Sequence, residues 1–144
     1  MENKTPREQF EAHDRTLAFK GEEAIDAAAL ECFEYAYAGK GAARGDVEIV
    51  TATHEFTSVC PFSGLPDFAE VIITYTPGRK CVELRSLKYY LMSYRDVGIW
   101  YEHLVNRMLD DLVRAVEPKK MTVVIKANPR GGLASTVRAE YAGG

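Results

Sequence analysis

The sequence predicts an α+β fold: an antiparallel sheet with two helices on one face, ordered strand, strand, helix, helix, strand, strand. Three observations predict it. Residues 46–76 alternate apolar and polar at period two, interrupted by one short loop. Leu104, Val105, Met108, Leu109, Leu112, Val113 and Val116 recur at three- and four-residue steps, the stripe of an amphipathic helix. Two further strand-like runs, 121–126 and 133–141, flank the turn Asn128-Pro129-Arg130-Gly131-Gly132. Strand runs on either side of a helix pair place both helices on one sheet face. A sheet of four strands also has two edges to cover or pair, so the pattern predicts self-association.

Each element has its own local reason. Residues 1 to about 22 are polar without a period and are expected to form a loose arm. Residues 23–38 are alanine-rich, which predicts a short helix, and 39–45 is a glycine-rich connector. The domain boundary is therefore expected between an arm with its helix, 1–45, and one domain, 46–144. Val47, Ile49, Thr51 and Thr53 alternate along a first strand ending near Phe56. Residues 68–76 form a second strand, 77–80 a turn, and 81–84 end the first half of the sheet. Ser86 can cap a helix over 87–94, with Leu87, Tyr90, Leu91 and Tyr94 on one side. Gly98 breaks it, and the long helix runs from about 99 to 116 before Pro118.

The 144 residues, 47% hydrophobic and 27% charged, suit one globular domain. A net charge of -3 gives no general attraction to nucleic acid or anionic membranes. No apolar run approaches the roughly 20 residues of a membrane span. The first residues, Met-Glu-Asn-Lys-Thr-Pro-Arg-Glu, are charged where a signal peptide is apolar, so the expected compartment is the cytoplasm. Cys32, Cys60 and Cys81 form no Cys-x-x-Cys pair, and His13, His54 and His103 are scattered. No metal site is expected.

The chemistry concentrates in residues 57–67, Thr-Ser-Val-Cys-Pro-Phe-Ser-Gly-Leu-Pro-Asp. Cys60 is either a packed structural thiol or a nucleophile displayed on a turn. Asp67 is either a strand-edge residue or the proton partner of Cys60, which needs a carboxyl raised by partial burial. Glu102 either faces the dipole of the long helix or anchors a planar heterocycle through two parallel N–H bonds. The stretch 83–90 is either a solvated helix start or an anion site using Arg85 and Lys88, with Arg130 as a further cation. There is no GxGxxG and no P-loop.

These motifs together resemble the NADPH-dependent nitrile reductases that convert 7-cyano-7-deazaguanine (preQ0) to preQ1 in queuosine biosynthesis, a tRNA modification. The residues that carry the resemblance are Thr57-Ser58-Val59-Cys60-Pro61, Leu65-Pro66-Asp67-Phe68-Ala69, the signature-like stretch from Glu83 to Tyr90, Ser93 to Gly98, Glu102, Asn106-Arg107 and Pro129 to Gly132. The resemblance covers roughly 46–141. It implies the tunnelling fold, with sheets joined into a barrel in a stacked-ring oligomer, typically a decamer, and active sites between subunits. It implies Cys60 as the nucleophile forming a covalent thioimide and Asp67 as the proton donor. Glu102 would anchor the substrate, with Tyr101, Glu83 and Ser86 beside it. Arg85, Lys88 and Arg130 would lie toward NADPH, near Ser86.

Two positions depart from the family pattern. Arg85 stands where the signature has lysine, and Tyr101 where many members have histidine. Two alternatives follow from the same resemblance: an amidinotransferase acting on preQ0-modified tRNA, and a deazapurine-binding protein without turnover.

Overall fold

The computed structural model describes residues 3–9, 17–40 and 45–143. In chain order the strands and helices are β1 (Cys32–Glu34), β2 (Ile49–Val59), β3 (Pro66–Thr76), β4 (Lys80–Val82), α1 (Leu84–Met92), α2 (Tyr101–Val116), β5 (Lys120–Ala127) and β6 (Thr136–Ala142). Four strands form one antiparallel sheet in the order β2-β3-β5-β6. The strand–strand–helix–helix–strand–strand order is therefore present, and β2 is an edge. No helix among the described residues is long and apolar enough to cross a membrane.

One sheet face makes the core. Ala69, Val71, Ile73 and Tyr75 of β3 and Met121, Val123 and Ile125 of β5 point into it, each at alternate positions. From above, Leu104, Val105, Met108, Leu109, Leu112 and Val116 of α2 close over them. Burying one such side chain is worth about 1.5–3 kcal/mol. Glu117 ends α2 in the left-handed conformation, with Pro118 next.

β2 changes face partway along. Thr53 pairs with Val71 but Phe56 pairs with Ala69, so one extra residue bulges between them. Simple alternation from Ile49, Thr51 and Thr53 would turn Ser58 outward. After the bulge, Phe56 and Ser58 face the core instead, and Ser58 stands opposite Asp67.

Several expected elements differ. The alanine-rich 23–38 segment is not a helix. It makes two single 3-10 turns, Glu22–Ala24 and Ala27–Ala29, and then β1, which pairs with β4 in a separate two-stranded sheet. Propensity yields here to tertiary packing: Ile25 enters the core, and β1 covers a strand that the main sheet does not use. Glu83, not Ser86, caps α1, taking the N–H groups of Arg85 at 2.8 Å and Ser86 at 2.7 Å. α2 begins at Tyr101, after the extended Trp100, and Asp67 lies in β3 rather than in the loop. The expected arm falls partly outside the described residues. Its described part from Leu17 to Lys20 is docked: Leu17 N–H donates to the Ser63 carbonyl at 3.3 Å, and Lys20 N–H to Asp96 at 2.7 Å. Most of the expected connector also lies outside the described residues.

A polar cluster ties α1 to α2. Tyr90 Oη donates to Asp111 Oδ2 at 2.7 Å, Arg107 Nε reaches the same oxygen at 2.8 Å, and Tyr94 Oη lies 2.7 Å from Tyr90 Oη. Burial holds both tyrosine hydroxyls far above their ordinary pKa, so they remain donors.

Candidate active site

Cys60 sits where β2 ends, in a turn that closes on itself. Its N–H donates to Leu65 C=O at 2.9 Å, and Gly64 N–H returns to Cys60 C=O at 2.8 Å. Gly64 makes the turn at φ +76, and a Cβ there would lie 2.3 Å from the Leu17 carbonyl. Burial raises the Cys60 thiol. The hydroxyl and amide of Ser63, the amide of Phe62 and the Arg130 guanidinium favour the thiolate more strongly, and the net shift is downward. Cys32 and Cys81 are raised by burial, so Cys60 is the activated thiol of the three.

Asp67 follows on the partner strand, its side chain only 5% exposed. Burial raises its carboxyl, and the ion pair with Arg130 offsets only part of that. Arg130 reaches it because the β3–β5 register, Ala69 opposite Ala127, carries the 128–133 hairpin over the start of β3. A single guanidinium thus touches both Asp67 and Cys60.

Tyr101 completes the group. The segment before it is fixed to the end of β2: Val59 N–H donates to Val97 C=O at 2.9 Å, and Ile99 N–H to Val59 C=O at 3.2 Å. The first turn of α2 therefore stands over Cys60 and Asp67. Burial and the Asp67 charge push the Tyr101 hydroxyl up to about 12, so it is a donor at all ordinary pH values. Among the described residues, two buried side-chain polar atoms have no partner, Tyr101 Oη and Ser58 Oγ.

The other expected residues are distributed differently. Glu102 follows Tyr101 and is exposed. Glu83 is engaged as the α1 cap. Ser86 is buried, accepting from Glu31 N–H at 2.9 Å and donating to Glu83 C=O at 2.7 Å. Arg85 is exposed at the start of α1. Lys88 lines a groove of about 480 Å³ between α1 and the edge of β2, with Arg95 and the apolar Phe56, Leu87 and Leu91. One chain thus brings together Cys60, Asp67, Arg130 and Tyr101, while Lys88 belongs to a separate groove. The sequence reading missed Ser58, Ser63 and the Tyr90–Asp111–Arg107 cluster. The i, i+4 spacings of Tyr90/Tyr94 and Arg107/Asp111 were the available signal for the cluster. No group of three His, Cys, Asp or Glu side chains suited to a metal occurs among the described residues.

Fold and site define the class: an α+β sheet domain carrying a thiol held below its ordinary pKa beside a buried carboxyl held above its own. The model of the QueF-like protein family matches residues 66–143. Two similar proteins are named NADPH-dependent 7-cyano-7-deazaguanine reductase. The one from Thermoanaerobacter pseudethanolicus is 50% identical over 128 residues, 89% of this chain and 92% of its own length. The one from Caldicellulosiruptor bescii is 50% identical over 127 residues, 88% of this chain and 93% of its own. The crystal structure of an archaeosine synthase QueF-Like in the apo form superposes with a TM-score of 0.59 at 31% identity, covering 69% of this chain and 94% of that one. The chain belongs to the QueF-like family, alongside its NADPH-dependent 7-cyano-7-deazaguanine reductases.

Proposed function

We propose that this chain reduces the nitrile of 7-cyano-7-deazaguanine with NADPH, and does so through a covalent thioimide on Cys60. Two relatives at 50% identity carry the reductase name, and the chain is an oxidoreductase of that kind. The observation that carries the covalent route is the pairing of a thiol pushed down with a buried carboxyl pushed up. The Cys60 thiolate attacks the nitrile carbon, forming the S–C bond. One C≡N electron pair moves to nitrogen, which takes the Asp67 proton. The amides of Phe62 and Ser63 hold the thiolate, and Tyr101 and Glu102, at the first turn of α2, face the heterocycle. Covalent attachment retains the partly reduced carbon until reduction is complete.

The groove beside β2 fits the dinucleotide in kind: Lys88 and Arg95 offer charge to phosphates, and Phe56, Leu87 and Leu91 an apolar wall. Two NADPH molecules, bound in turn, would supply the two hydrides that a nitrile needs to become an amine, one each. Arg85 and Lys88 are assigned to its phosphates, and Arg130 to the end nearest Cys60. We place Glu83 and Ser86 as the frame that holds α1 toward the site. We further assign the tunnelling-fold assembly, copies joining along the open edge of β2 into rings of the decamer type, which brings this groove toward a neighbour's Cys60. The expected compartment is the cytoplasm.

The test is mass spectrometry of the protein with preQ0 alone under reducing conditions. The wild type gains the mass of preQ0 and Cys60→Ala does not; an unmodified wild type refutes the thioimide. With NADPH, two equivalents are oxidised per nitrile consumed. The likeness to an archaeosine synthase favours one second reading, amidinotransfer to tRNA, which requires nitrile consumption only with ammonia and tRNA present.

A further inference from the structure

We propose that Ser58 is a positioning residue for Asp67, its hydroxyl becoming the carboxylate's hydrogen-bond donor as Asp67 gives up its proton. The inference rests on the thioimide reading above. Ser58 is 0% exposed and its Oγ has no partner. A buried hydroxyl left without a partner destabilises the fold, so its presence calls for a use. The β2 bulge turns it onto the core face, directly across from Asp67 in register. Side chains opposite one another in an antiparallel pair have Cβ atoms about 4.5–5.5 Å apart, within one rotamer step of contact.

The need for such a donor follows from the other groups around Asp67. Arg130 from the β5–β6 hairpin pairs with Asp67 Oδ1, Cys60 stands at the end of β2, and Tyr101 reaches in from α2. Arg130 is shared with Cys60 and is 43% exposed, so a ligand entering between the thiol and the carboxyl competes for it. Tyr101 is assigned above to the heterocycle. Ser58 is the fully buried donor, opposite Asp67 in the β2–β3 register. Removing it leaves the newly formed carboxylate less stabilised and raises the pH at which Asp67 titrates.

The probe is preQ0 alone, with adduct formation followed by mass or absorbance across pH, and thermal unfolding measured in parallel. Ser58→Ala is expected to unfold at the same or a higher temperature, since no bond is lost. It should form adduct about 10- to 100-fold more slowly, with the acidic limb of the profile moved to higher pH. That limb marks loss of the one-proton form of the Cys60–Asp67 pair. Ser58→Thr keeps the hydroxyl and should return the limb to its wild-type position. Wild-type rate and limb in Ser58→Ala overturn the proposal, as does a drop in unfolding temperature with the limb unmoved. An adduct in wild type but not slowed in Ser58→Ala sinks the Ser58 role alone; no adduct in wild type sinks the thioimide with it.

Discussion

Replacing Arg130 with alanine tests the centre of the site, because one guanidinium contacts both Asp67 and Cys60. Its partner Asp67 is 5% exposed, while Arg130 itself is 43% exposed. Exposed ion pairs contribute about 0.2–1 kcal/mol, and stripping the partner from a fully buried charge costs about 3–5 kcal/mol. Solvent on the arginine side screens this pair, so the effect should be about 1–2 kcal/mol. Its pH dependence is distinctive. Burial raises Asp67, so its carboxylate opposes folding above its folded-state pKa, and that cost vanishes once pH falls below the ordinary carboxyl value of about 3.9. Arg130 reduces the cost only while Asp67 is charged. Thermal unfolding of Arg130→Ala at pH 7 should therefore fall by about 2–6 °C, and at about pH 3.5 it should match wild type. Alkylation of Cys60 at neutral pH, read on its own peptide, should slow as the thiol loses a donor. Equal stability at pH 7, or an equal loss at both pH values, would refute the ion-pair reasoning.

Other outcomes follow from single features. Asp111→Ala strands Tyr90 and Arg107 inside the helix interface and should cost about 3 kcal/mol or more, measured by denaturant unfolding, with little effect on the thiol's alkylation rate. Gly64→Ala forces a side chain into positive φ and onto the Leu17 carbonyl. Adduct formation with preQ0 should fall by tenfold or more while the core melts nearly as before. Tyr101→Phe removes an unpartnered hydroxyl, so unfolding should be unchanged and any loss should appear in the KM for the nitrile.

The parts of the fold that were legible are those with a sustained period. Val71, Ile73 and Tyr75 announce β3, and Leu104 through Val116 announce α2, because one buried face imposes its spacing on the sequence. The 23–38 segment was misread because alanine favours helix intrinsically, whereas its place is decided by Lys80–Val82 needing a partner strand. Within the site, residue type and turn chemistry left Cys60 divided between packing and nucleophile and Asp67 between strand edge and proton partner, and only the family resemblance tipped them. Arg130 was assigned only to the cofactor, since its contact with Asp67 depends on the β3–β5 register, which spacing does not encode. Ser58 escaped because alternation counted from Ile49 places it on the wrong face, and only the bulge between Thr53 and Phe56 corrects that.

That bulge also means β2 carries one residue of slack a few residues upstream of Cys60. A straight strand from Thr53, one residue shorter, would still deliver Ser58 opposite Asp67. Deleting His54 should thus leave the pairing from Phe56 to Val59 intact and remove only the bend. What would change is aim: the extra local twist that accompanies a bulge is relieved, and the Cys60 turn swings relative to α2. An added residue there has no such reserve to draw on. Length changes at 54–55 are therefore asymmetric, with shortening tolerated by the fold and lengthening transmitted straight to the thiol.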